Sequence, residues 1–106
     1  MTHCAQPIAK GPFHGFFPEG AVLYRLDPPC VAGGHTRRHG VVSKEVTHVI
    51  VTALEEDECG HGPATTIFAA DQDGVVDTDF FRKFGAIVDL AVNDADAALS
   101  RLGYGA

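Results

Sequence analysis

Apolar and polar positions alternate most clearly in the middle of the chain. Val46 to Leu54 reads VTHVIVTAL and is its longest β-branched stretch. Val, Ile and Thr are stiff about the first side-chain torsion and favour extended backbone. Strict alternation puts Val46, His48, Ile50, Thr52 and Leu54 on one face, and Thr47, Val49, Val51 and Ala53 on the other. Neither face is polar enough to lie in water, so this strand is expected to be central and covered on both sides.

Ala64 to Ala70, ATTIFAA, has the same character and predicts an antiparallel partner. The intervening EEDECGHGP is a long hairpin loop. Asp71-Gln72-Asp73-Gly74 is a turn signal, after which Val75 to Asp77 predicts a short further strand. Ala21 to Leu26 reads as a strand that Asp27-Pro28-Pro29 ends, because proline donates nothing to a ladder. Cys30 to Gly40 is loop by composition.

Two stretches carry helical signals. Thr78 to Phe84 predicts a short helix with Thr78 as its N-cap and Gly85 as its stop. Ala86 to Val92 stays open between strand and buried coil. Near the end, Ala95, Ala98, Leu99 and Leu102 fall on one helical face, with Asn93 as N-cap. Gly103 ends that helix in the left-handed conformation and folds Tyr104 back on Leu99. The patterns predict an α+β fold: a small, mostly antiparallel sheet of three to five strands with a C-terminal amphipathic helix packed on one face. Residues 1–20, rich in Pro, Gly and Phe, read as an arm, and residues 21–106 as a single α+β domain.

Composition narrows the function classes. The chain has 106 residues, 45% apolar and 21% charged, which suits one globular domain with its own core. Its net charge of −6 argues against nucleic acid, which demands clustered Lys and Arg. No apolar run is long enough to span a membrane. The amino terminus lacks the apolar core of a signal peptide, and the three cysteines cannot all pair, so a reducing cytoplasm is expected. Acid is unevenly spread: between Glu45 and Phe81 there are nine carboxylates and no Lys or Arg. The proposed hairpin puts Asp71 and Asp73 near the Arg37-Arg38 segment and Glu55 to Glu58 far from it.

Candidate chemistry is thin. His35 and His39, with Cys59 and His61, could supply four zinc ligands, but their spacing matches no standard module. The Asp71 to Asp79 stretch resembles a calcium loop, yet its glycine is misplaced and Arg82 stands where the closing glutamate belongs, so a turn is the better reading. Ser43 and Ser100 are the only serines, and neither sits in a nucleophile elbow. His48 is the titratable group expected to be buried, in a structural rather than catalytic role. Two features read as contact sites: the aromatic block Phe13, Phe16 and Phe17, for which burial over the sheet is the competing explanation, and the basic pair Arg37 and Arg38.

Several segments resemble, in order, a family of short actinobacteriophage proteins of unknown function. They are Tyr24-Arg25-Leu26-Asp27-Pro28-Pro29, Thr47-His48-Val49-Ile50-Val51, Thr66 to Gly74, and Ala98-Leu99 with Leu102-Gly103-Tyr104. The family pattern runs YxLxPP, THVVVS, ETYIFPADxDG and ALxxxGY. This chain departs from it by its long amino-terminal arm, by an insertion between Pro29 and Thr47, and by the apolar AIVDLAV before the last helix. The resemblance implies phage origin and a life in the cytoplasm of a bacterial host, and it carries no activity or catalytic residues. The sequence therefore predicts a non-enzymatic interaction module with no cofactor, binding a host or phage protein. The alternatives are a small zinc protein using His35, His39, Cys59 and His61, or a structural virion component that self-assembles through a strand edge.

Overall fold

The computed structural model describes residues 3–11, 20–36, 40–55, 58–60 and 62–105. Its elements are β1 (Cys4–Lys10), β2 (Val22–Thr36), β3 (Gly40–Leu54), β4 (Ala64–Ala70), α1 (Thr78–Phe84), β5 (Val88–Leu90) and α2 (Ala95–Leu102). The five strands form one antiparallel sheet in the order β1-β2-β3-β4-β5, so each strand pairs with its neighbours in sequence. The chain is α+β, as expected, with a C-terminal helix.

β3 is the central strand. Val22 faces Val51 on one side of it, and Ile67 faces Val51 on the other. Val49 and Ile50 have no exposed surface and Val51 is 2% exposed, which places the apolar run in the middle of the core. Two clusters result. The larger joins Val46, Val49, Val51, Ile67 and Val88 of the sheet to Phe80 of α1 and Ala98 and Leu99 of α2. The smaller gathers Ala21, Leu23 and Ile50, with Phe68 and Val76 against them. Thr65 ties sheet to helix: its hydroxyl donates to the Val92 carbonyl at 2.5 Å and accepts from the Asp94 N–H at 2.9 Å. That pairing offsets the desolvation cost of a fully buried polar side chain in the core.

Four expectations need correction. The first is the boundary at residue 20. Cys4–Lys10 is not an arm but strand β1, paired with Val22 to Asp27, so the sheet begins far earlier. Alternating pattern is weak there because β1 is an edge strand with only Ala5 buried.

The second concerns Pro28 and Pro29, which do not end β2. Arg25 faces His48 and Cys30 faces Val46, so Leu26 to Pro29 bulge out opposite Thr47 alone. A bulge is where a central strand tolerates residues that cannot donate. The hydroxyl of Tyr104 donates to the Pro28 carbonyl and holds the bulge from the far end of the chain. It also breaks alternation on β3: Val46 joins the cluster of Val49 and Val51 rather than that of Ile50.

The third concerns Cys30 to Gly40, where Cys30 to Thr36 and Gly40 are strand rather than loop. β2 and β3 stay paired as far as Thr36 opposite Gly40. Gly34, one of the glycines that suggested a loop, serves close approach instead: a Cβ there would come within 3.3 Å of the Phe84 ring.

The fourth concerns the helix starts, each of which lies one residue on from or back from its expected cap. Asp77, not Thr78, caps α1 by accepting from the Phe80 N–H at 3.0 Å. Asp94, not Asn93, caps α2 by accepting from the Ala97 N–H at 3.0 Å. A carboxylate satisfies the open N–H and also meets the positive helix end.

The expected helix ends hold. Gly85 stops α1 with its N–H on Phe81 O at 2.8 Å. Gly103 is left-handed, at φ 100° and ψ 18°, and Tyr104 N–H returns to Leu99 O at 2.9 Å. Ala86 to Val92 resolves as strand over Val88–Leu90, whereas Val75 to Asp77 makes only a single bridge, Val76 to Ala70. Among the described residues no helix is long and apolar enough to cross a membrane.

Candidate functional site

The strands of the sheet have unequal lengths. β3 has fifteen residues, while β4 has seven and stops at Ala70, opposite His48. Beyond His48, β3 continues as one arm of a ribbon with β2 and has no second strand beside it among the described residues. The space where β4 would continue is a cleft of about 390 Å³. Its walls are Lys44 to His48 of β3 on one side, and Ala69 to Asp73 with Asp77 on the other.

Local chemistry fixes these walls. The Asp71 carboxylate accepts from the N–H groups of Asp73 at 2.8 Å and Val75 at 3.0 Å. Those bonds close the DQDG turn and commit that carboxylate to backbone, which is what the turn reading of the sequence requires. The Lys44 ammonium contacts the Asp77 carboxylate, linking the ribbon to the cap of α1. The Lys44 hydrogen bond, joined by the Phe80 N–H, holds Asp77 below the ordinary carboxylate range. His48 lies at the inner end of the cleft, half-buried rather than buried as expected, with Nδ1 2.8 Å from the Thr47 hydroxyl.

A second, smaller depression of about 280 Å³ lies on the ribbon's apolar side, between Val31 to Gly33 and the helix residues Phe80, Phe84 and Leu102. Val31 is 72% exposed beside it.

The predicted site residues fare unevenly. Phe13, Phe16 and Phe17, and Arg37 and Arg38, lie outside the described residues, as do His39 and His61. His35 pairs with Val41 near the outer end of the ribbon, whereas Cys59 follows Leu54 at the opposite end of β3. The length of β3 lies between the His35 and Cys59 positions, and His39 and His61, the other members of the expected zinc set, lie outside the described residues. No group of three metal-binding side chains occurs among the described residues. Cys30 is half-buried in the larger cluster, and burial pushes its thiol above the ordinary range, away from the reactive thiolate.

Sequence reasoning missed Lys44, Glu45 and Asp77. A signal existed: Lys44 is the last cation before the acidic stretch that contains Asp77. Their meeting depends on the ribbon, which the glycines of residues 30–40 concealed. No family model, curated protein or solved structure matches this chain.

Proposed function

We propose that the chain is a non-enzymatic protein-interaction module, of phage origin and acting in the cytoplasm of a bacterial host on a host or phage protein. The observation that carries this reading is the ribbon of β2 and β3, which runs past the end of β4 and leaves one edge of β3 without a strand among the described residues. An unpaired edge is a ready template for another chain, and small soluble domains use such edges for recognition. In this reading α2 packs on one face of the sheet as a fixed cover. The full burial of Ala98 and Leu99 in the cluster of Val49 and Val51 supports that role. The resemblance to short actinobacteriophage proteins supports the origin and the compartment. The aromatic block at Phe13, Phe16 and Phe17 and the basic pair at Arg37 and Arg38, which joins β2 to β3 in sequence, remain the proposed anchors.

The test is affinity capture from host lysate followed by mass spectrometry. The reading expects a specific protein that is lost when the two anchors are changed to alanine. Capture that is unchanged by those substitutions removes the anchors, and no captured protein at all removes the reading. The same edge also suits a second copy of the chain, so the mass in solution separates self-assembly from partner binding.

A further inference from the structure

The cleft beside β3 has a charge as well as a shape. Among the described residues four carboxylates line it, from Glu45, Asp71, Asp73 and Asp77, against the single ammonium of Lys44. Asp77 is engaged by Lys44, and Asp71 by the turn N–H groups. That leaves Glu45 and Asp73, both exposed and on opposite walls, as the cleft carboxylates with no hydrogen-bond or ion-pair partner among the described residues. Along β3, alternate residues direct their N–H and C=O to each side, so the segment from Ser43 to Thr47 presents backbone groups to the cleft as well as to β2. Lys44 and Glu45 on the edge discourage indiscriminate pairing, a common guard on open strands. A chain that enters must therefore satisfy both backbone and charge.

We infer that this cleft is a docking groove for an extended, basic segment of a partner protein, which pairs with β3 along Ser43 to Thr47 and continues the line of β4. The inference deepens the interaction reading and rests on it. Backbone bonds supply the attachment, while Glu45 and Asp73 select for Lys or Arg side chains and repel acidic ones.

The experiment titrates the isotopically labelled full chain with synthetic peptides and follows its backbone amides by NMR. Two peptides share an alternating Val-Thr frame, one bearing lysines and the other glutamates. A third repeats the lysine peptide with alternate amides N-methylated on one edge, and a fourth on the other. The expected result is shifts grouped at 43–48 and 69–73, with the lysine peptide about threefold to tenfold tighter than the glutamate peptide. Salt should narrow that gap, one of the two methylated peptides should fail to bind, and E45Q with D73N should erase the preference. Equal affinities for the two charge types, undisturbed amides at 43–47, or equal binding of both methylated peptides would each overturn the groove. Shifts of the same amides with protein concentration alone would overturn it too, assigning the edge to a second copy. A partner captured from lysate that still binds E45Q/D73N and competes with no peptide rules out the groove and leaves the interaction reading standing. A groove that takes the lysine peptide when lysate yields no partner stands without that reading.

Discussion

The two halves of β3 belong to one strand and do opposite things. From Val49 to Val51 it is paired on both sides, with Val49 and Ile50 wholly buried, and from Thr52 to the exposed Leu54 it keeps β4 as its partner. From Ser43 to Thr47 it is paired on one side, and only Val46 is buried. The divide falls at Thr47 and His48, where the bulge of β2 shifts the register and β4 ends. Hydrophobic burial, at about 25 cal/mol per Å² of apolar surface, holds the inner half in place. The outer half has little of that and keeps its backbone available. One strand thus serves as scaffold and as open edge, and the bulge separates the roles.

The sharpest way to break this contrast is to empty the inner half. Ile50→Ala removes a fully buried side chain and is expected to cost about 2–5 kcal/mol in urea denaturation, because the tightly paired strands cannot collapse onto the void. A loss below about 1 kcal/mol would mean that the second face of the sheet is not a packed core.

Asp77 tests the joint between the outer half and the rest. Asp77→Ala removes both the α1 cap and the Lys44 partner, with an expected loss of about 1–2 kcal/mol. Asp77→Asn should retain the cap and lose only the ion pair, which is worth less because Lys44 is largely exposed. The sign with pH follows from the lowered Asp77 value, caused first by Lys44. Its contribution is complete above the ordinary carboxylate range and is lost as pH falls through the depressed value. Stability measured against pH should therefore fall less steeply in acid for Asp77→Asn than for the parent chain.

Much of the inner half was legible in the sequence. VTHVIVTAL, ATTIFAA and the Ala98-Leu99 stripe announce themselves through local period, and Gly103 with Tyr104 through the chemistry of helix ends. The outer half was not. Its glycines and the paired prolines read as breaks because their roles depend on distant groups: Phe84 against Gly34, and Tyr104 on Pro28. β1 was hidden for a related reason, since an edge strand with one buried residue has no period to display. The cleft was illegible for the same cause. It is formed by a difference between two strand lengths, and a strand's length is set by what it pairs with.

Tyr104 lies at the divide itself and sharpens the comparison further. Its ring is buried, and its hydroxyl holds the bulge that separates the halves. Tyr104→Phe keeps the packing and leaves the Pro28 carbonyl without that donor, for an expected loss of about 0.5–1.5 kcal/mol. Burial, with smaller contributions from Cys30 and Asp27, raises the Tyr104 value above the ordinary 10.0. The stability this implies is complete below that pH and is lost as pH rises through the raised value. Tyr104→Phe should soften the alkaline fall, leaving the part that belongs to Tyr24, which burial and Asp96 raise likewise.

The smallest expected effect is the most telling for the outer half. Glu45 is exposed and has no side-chain partner among the described residues, so Glu45→Gln should change stability by less than about 0.5 kcal/mol. The same substitution should weaken the lysine peptide measurably, because it removes one of two uncommitted carboxylates from the cleft. Most residues that matter for the fold cannot be changed without cost, and most exposed residues can be changed without consequence. Glu45 is expected to fall in neither group: silent in urea denaturation and visible in peptide titration. If it proves costly to stability instead, the outer half of β3 belongs to the scaffold after all, and the division at the bulge is structural only.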